Sequence, residues 1–277
     1  MRVGNLEGRA VLVDGDRALD VERASGGQFG PNPQGVFDRW DQFRGWAAGQ
    51  DPSAGEPFEV ERLGPPVPRP PQVFGIGLNY RDHAEEADLE IPDEPMVFTK
   101  FPSSVTGPYA EVQLPSDRCD FEVELVVVIG RGGHRISPEQ AWEHVAGLTV
   151  GQDLSDRRVQ FRGKPPQFSM GKSFPGFAPI GPVLVTPDEF GDRDRLAIRC
   201  SSGEETLQDG TTADMIFPVA ELITRLSAIV RLLPGDLIFT GTPAGVGAVR
   251  DPRRYLSPGE VIVSGIEGIG QMRTTLV

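Results

Sequence analysis

Glycine and proline interrupt this chain so often that long helices have little room: 34 glycines and 26 prolines stand among 277 residues. Glycine carries an entropic penalty inside a helix, and proline removes a backbone donor and clashes with the preceding turn. The sequence therefore favours a turn-rich β architecture over a helical bundle. Five short runs, VFGIGLNY, PMVFTKF, FEVELVVVIG, LIFTG and VIVSGIEGIG, read as strands bounded by glycine or proline. Two segments carry a helical pattern, SPEQAWEHVAGL (137–148) and PVAELITRLSAIVRL (218–232). The first opens on Ser137, Pro138 and Gln140, the spacing of a capping box with proline at the first helical position.

Residues 1–70 read as a small N-terminal unit ahead of a larger one over 71–277. RAVLVDGDRALDV alternates around an Asp-Gly turn, a hairpin signature. Phe37, Trp40, Phe43 and Trp46 recur at helical spacing. The stretch GPPVPRPPQ (64–72) cannot form a helix and reads as an extended linker. A formal charge of -13 argues against a nucleic-acid partner, which needs a basic surface. No apolar run is long enough for a membrane span, and the charged, glycine-broken N-terminus does not read as a signal peptide. With only Cys119 and Cys200, neither a disulfide scaffold nor a zinc site is indicated. A cytoplasmic protein is the expectation.

Chemistry concentrates in a few segments. Glu122 and Glu124, in DFEVEL, lie two apart on a predicted strand and so share a face. Adjacent carboxylates repel unless one takes a proton or a cation lies between them, and a hard divalent cation is the oxygen-bound solution. A solvated face bearing two acids is the alternative; the apolar continuation favours burial, where charges must be paired. In GLNYRDHAEE, His83 and Glu86 are one helical turn apart, and a carboxylate beside an imidazole is the arrangement of a general base. An ordinary charged surface helix fits the same residues. Asp153, in GLTVGQDLSDRRVQ, is either a third oxygen ligand or a cap. Lys172 lies in a glycine- and proline-rich loop without P-loop spacing, and FTGTPAGVG reads first as a tight turn. Gly75-x-Gly77 lacks the third glycine of a dinucleotide fingerprint, and no G-x-S-x-G elbow is present. His134 and His144 read as structural or surface residues.

Taken in order, GLNYRDHAEE, FTKFPSSV-x-GP, DFEVELVVVIG, GLTVGQDLSDRRVQ, FSMGKSF, LQDGTTADMIF and LIFTGTPAGVG resemble the fumarylacetoacetate hydrolase family over nearly all of residues 73–277. The resemblance implies an α+β, β-rich fold, a mixed β-roll catalytic domain with a small N-terminal α+β domain, and a homodimer. It places Mg²⁺ or Mn²⁺, replaceable by Ca²⁺ in crystals, on Glu122, Glu124 and Asp153. His83 and Glu86 become a catalytic dyad on a lid, joined by Lys172. Arg157, Gln160 and Thr242 become contacts to a diketo or 2-oxo acid substrate. The implied reaction is hydrolysis of a C–C bond in a β-diketo acid such as an acylpyruvate or fumarylpyruvate, with water activated by His83 and an enolate leaving group. Decarboxylation of an oxaloacetate-type β-keto acid, or isomerisation or hydration of a related 2-oxo acid, uses the same parts. A non-catalytic metal-binding scaffold is the remaining alternative. Arg158, where many members carry an acid, introduces a charge that suits either a more anionic substrate or solvent.

Overall fold

The computed structural model describes residues 1–277 and contains one large mixed sheet, a smaller second sheet and short helices. At the centre of the large sheet runs Val123–Ile129, every residue of it buried. It pairs antiparallel with Val145–Gln152 on one side and Leu237–Phe239 on the other. Beyond Leu237–Phe239 lie Val73–Gly77, in parallel, and then Met96–Thr99. Beyond Val145–Gln152 lies Ala178–Val185. The second sheet has five strands, built on Glu205–Thr211, Ala197–Ser202, Val261–Ile266 and Gly270–Leu276. All five strand runs read from the sequence form strands, and the α+β class holds. No helix is long and apolar enough to cross a membrane.

The period-2 geometry of a strand explains where the site lies. Val123, Leu125, Val127 and Ile129 point into the core shared with the second sheet, among Ile198, Cys200, Leu207 and Ile262. Val126 and Val128 point the other way, onto Leu237, Phe239, Phe37, Trp40 and Phe43. Glu122 and Glu124 continue that second face beyond the aromatic cover.

The cover comes from the N-terminal segment. The Arg9–Asp14 and Arg17–Asp20 hairpin forms as read, and a 3-10 turn over Pro33–Arg39 runs into the helix Trp40–Ala47. Trp40 and Phe43 are almost wholly buried, and each such aromatic contributes about 2–3 kcal/mol. The Trp40 ring rests on Gly130, where any Cβ would strike it. Arg2–Leu6 pairs with Ala178–Val185, so the strands of residues 1–64 extend the large sheet itself.

One helix expectation fails. Residues 137–148 form only a 3-10 turn, Ala141–His144, and then enter the strand Val145–Gln152. That strand is buried along its whole length, and Gly147 and Gly151 give up side-chain volume to Leu184 and to Phe239 with Val126. Sheet pairing on both edges outweighs the local capping pattern. The second helix forms at Val219–Ile229.

Candidate metal centre and active site

Glu122, Glu124 and Asp153 converge: a carboxylate oxygen of each lies within 4.8 Å of the others, and all three residues are buried. Sequence separation is bridged by strand pairing. Glu124 faces Gly151 and Val123 faces Gln152 across the ladder, which carries Asp153 to the open end of the ligand strand. Asp153 N–H then donates to Glu122 O at 2.8 Å. Two buried glutamines fix the strand's backbone. Gln152 Oε1 accepts the Glu122 N–H at 3.0 Å, and Gln208 Oε1 accepts the Val123 N–H at 2.9 Å.

Four buried carboxylates, Asp120, Glu122, Glu124 and Asp153, face three buried cations, Lys100, Arg157 and Lys172. Lys172 Nζ donates to Glu122 Oε2 at 2.7 Å, Asp153 Oδ2 at 2.6 Å and Ser155 Oγ at 2.8 Å. Lys100 Nζ donates to the other Asp153 oxygen and to Lys172 O. Arg157 donates from Nε to Asp120 at 2.9 Å, from Nη1 to Gln160 at 2.8 Å and from Nη2 to Glu122.

The two glutamates differ sharply. Burial alone would raise the Glu122 pKa, but the Lys172 and Arg157 charges outweigh it and hold the carboxyl low. Glu124 is pushed well above the usual carboxylate range by burial and by the Asp153 and Glu122 charges. Its one protein donor is the Gly241 N–H, at 2.8 Å. An all-oxygen, hard, anionic donor set with one carboxylate that the surrounding cations leave unbalanced fits Mg²⁺ or Mn²⁺.

Of the expected residues, Glu122, Glu124, Arg157, Gln160, Lys172, Thr242 and His83 line one cavity of about 240 Å³, while Asp153 and Glu86 stand behind it. His83 sits on the helix Arg81–Glu86, which starts where the Val73–Gly77 strand ends. Its Nδ1 lies 3.4 Å from Glu86 Oε2, and Glu86 also accepts the Gly245 N–H at 3.0 Å. Asn79 anchors the root of this helix. Its Nδ2 donates to Phe217 O and Thr240 O, and its Oδ1 accepts the Phe217 N–H. Thr242 lines the cavity with its hydroxyl already engaged, donating to Val123 O at 2.8 Å and accepting from Gln208 Nε2 at 2.7 Å. The outer wall is apolar, formed by Met96, Phe98, Phe161, Phe168 and Leu89 among others.

Arg158 points to solvent and pairs with Asp117 at 2.5 Å, so its charge does not reach the cavity. His134 and His144 do not line it either. Sequence reasoning missed Lys100, Asp120 and the backbone donors of the 240–248 loop. Asp120 had a signal, as an acid heading the strand that carries Glu122 and Glu124. Lys100 had none beyond its place in FTKF at the end of a strand.

Residues 72–277 match the family model for the C-terminal part of fumarylacetoacetate (FAA) hydrolase. Oxaloacetate tautomerase FAHD2A, mitochondrial, of Homo sapiens is 45% identical over 207 residues, 74% of this chain and 66% of that protein. The chain thus spans just under two thirds of this relative's length. A solved protein from Mycobacterium smegmatis, described provisionally as HpcE, superposes with a TM-score of 0.95 at 50% identity, covering 100% of this chain and 99% of that one. Maleylpyruvate hydrolase from Sphingobium sp. SYK-6, solved with manganese (II) and pyruvate, gives a TM-score of 0.82 at 25% identity over 100% and 99% of the two chains.

Proposed function

The chain belongs to the fumarylacetoacetate hydrolase family of enzymes, and from that premise we propose that it interconverts the keto and enol forms of a small 2-oxo acid of the oxaloacetate type. The observation that carries this reading is the convergence of the buried Glu122, Glu124 and Asp153 carboxylates, with Glu122, Glu124, Lys172 and Gln160 lining one cavity that His83 also borders. Enolisation needs two things: a base at the carbon next to the carbonyl, and positive charge or donors at the carbonyl oxygen.

A divalent cation held by Glu122, Glu124 and Asp153 would supply Lewis-acid polarisation of the carbonyl. The chain's own residues do the rest. Glu86 orients His83 and fixes its tautomer, so that the other imidazole nitrogen takes the carbon-bound proton while the carbonyl oxygen gains one from solvent, and the reverse steps restore the keto form. Gln160 spends its Oε1 on Arg157 and keeps its Nε2 donors for a substrate oxygen. Lys172 and Arg157 hold Glu122 ionised. The apolar wall of Phe98, Phe161 and Phe168 limits water around the reacting carbon.

C–C hydrolysis of a β-diketo acid is the second reading. The observation favouring it is the place of the dyad at the rim, where the His83 side chain keeps 15% of its surface and a water can reach it. The test follows oxaloacetate enol decay by ultraviolet absorbance, and pyruvate release from oxaloacetate and acetylpyruvate, with Mn²⁺ or EDTA and with His83→Ala. Metal-dependent enol–keto exchange that collapses in His83→Ala, without pyruvate release, supports the tautomerase. Metal- and His83-dependent cleavage of acetylpyruvate would replace it with the hydrolase. Pyruvate from oxaloacetate, insensitive to His83→Ala, would make it a decarboxylase.

A further inference from the structure

The glycine-rich loop over residues 240–248 does more than turn the chain. Gly241 N–H donates to Glu124 Oε2 at 2.8 Å, and Gly245 N–H lies 3.0 Å from each Glu86 oxygen. Gly247 and Ala248 N–H both donate to Asp120, each at 2.9 Å, and Asp120 in turn holds Arg157. One loop therefore supplies donors to a metal-binding carboxylate, to the dyad's carboxylate and to the anchor of the arginine. Gly241 and Gly245 have φ of 94° and 106°, where a side chain would be strained. A Cβ on Gly247 would run into Arg254 O and the Asp120 carboxylate.

A loop of this kind needs something to fix it, and Arg250 occupies that place. Its Nε donates to Gly245 O at 3.0 Å, its Nη2 to Leu207 O, and its Nη1 to Glu205 at 3.1 Å. The guanidinium lies 5.7 Å from the Phe121 ring centroid, beside the start of the ligand strand. Arg250 does not border the cavity. From Arg250 to the imidazole the path is Arg250 to Gly245, Gly245 to Glu86 and Glu86 to His83, with no other side chain between.

We propose that Arg250 is a positioning residue for the His83–Glu86 pair: it pins Gly245, whose N–H sets the Glu86 carboxylate against the imidazole. This rests on the reading of His83 as the proton-transfer group. The residue was not singled out by its sequence, because its partners are carbonyls of a loop and of a neighbouring strand.

The experiment is a double-mutant cycle with oxaloacetate and Mn²⁺, comparing wild type, Arg250→Met, His83→Ala and the double variant, with Arg250→Lys alongside. Arg250→Met is expected to lower kcat roughly 10–100-fold, the scale of a small misplacement of catalytic groups, with KM little changed. Arg250→Lys, which can still donate to Gly245 O, should recover most of the loss. In the His83→Ala background, Arg250→Met should have no further effect on kcat, because its action runs through the imidazole. Multiplying losses in the double variant, or a raised KM at unchanged kcat, would overturn the proposal in favour of a general structural role. Should Arg250→Met fail to fold, the shorter, polar Arg250→Gln carries the same cycle. If wild type turns over no 2-oxo acid, the functional reading falls on its own. The latch is then judged by hydrogen exchange of the Ala84 and Ala87 amides, which bond within the helix that Glu86 docks. Their protection should drop about tenfold in Arg250→Met through local opening, and unchanged protection would sink the latch.

Discussion

Glu122 and Glu124 share a strand face and a cavity, yet only Glu122 has cations within bonding distance. Opposite consequences follow for substitution. Glu124→Gln replaces a carboxyl that burial and its acidic neighbours already favour in the neutral form, so the metal-free protein is expected to melt within a few degrees of wild type. What it should lose is the response to Mn²⁺. Binding at 100 times Kd stabilises by about 2.7 kcal/mol, or roughly 5–10 °C for a chain of this size, and Glu124→Gln should abolish that rise. Glu122→Gln leaves Arg157 and Lys172 each short of an anionic partner in the interior. Disrupting a buried pair costs about 3 kcal/mol even without metal, a drop of roughly 6–12 °C. Differential scanning fluorimetry with EDTA and with MnCl₂ checks both. This asymmetry could not be read from the E-x-E spacing, which treats the two glutamates alike. It arises from Lys172 and Arg157, which are 50 and 35 residues away in sequence.

Among elements, those whose pattern agreed with their burial were legible. The Arg9–Asp20 hairpin and the Val219–Ile229 helix each showed a period matching the face they bury, and the run from Val123 to Ile129, buried on both faces, showed as a near-continuous apolar stretch. The Val145–Gln152 strand was hidden by a capping pattern upstream and by glycines whose purpose is visible only against Leu184 and Phe239. The Glu122/Glu124 and His83/Glu86 pairs were legible because each sits within one short segment, whereas Asp153 was placed only by the family resemblance; Lys100 acts across elements and gave little local sign. The turn leading into Leu237–Phe239 offers a pH test of the same cross-element packing. Asp236 Oδ2 accepts Leu233 N–H and Gln72 Nε2, while Oδ1 is buried without a partner. Burial pushes this carboxyl from its ordinary 3.8 up to about 6. The native state therefore holds a proton that the unfolded chain releases between those values, and stability falls as pH rises from 4 to 6. The loss is a few kcal/mol at most, because each tenfold difference in proton affinity between the folded and unfolded chain is worth about 1.4 kcal/mol. Urea melts at pH 5 and pH 8 should show Asp236→Asn lacking this part of the slope; an identical slope in both proteins would remove Asp236 as its source.

Across the whole molecule, the residues before the proline-rich stretch are continuous with the large sheet and cover one of its faces. Residues 72–277, the span of the family match, end up with Val126, Val128 and Leu237 under Phe37, Trp40 and Phe43. Expression of 72–277 alone is expected to give aggregated or partly folded protein, because a large apolar sheet face would be bare to water. A soluble fragment with a cooperative melt and retained Mn²⁺ response would show that this cover is dispensable.

The loop that feeds Glu124, Glu86 and Asp120 from its backbone has a wider consequence. Its amides act as a shared ruler: a single inserted or deleted residue would shift the metal carboxylate, the dyad and the arginine anchor together. The loop's own Val246 and Ala248 also line the cavity, but most of its outer wall is borne elsewhere, on the Met96–Thr99 strand, the turn after the helix Arg81–Glu86 and the segment from Phe161 to Phe168. Those parts can be reshaped without touching the ruler. On this scaffold, then, the walls around the cavity are free to drift while Glu124, Glu86 and Asp120 shift together or not at all.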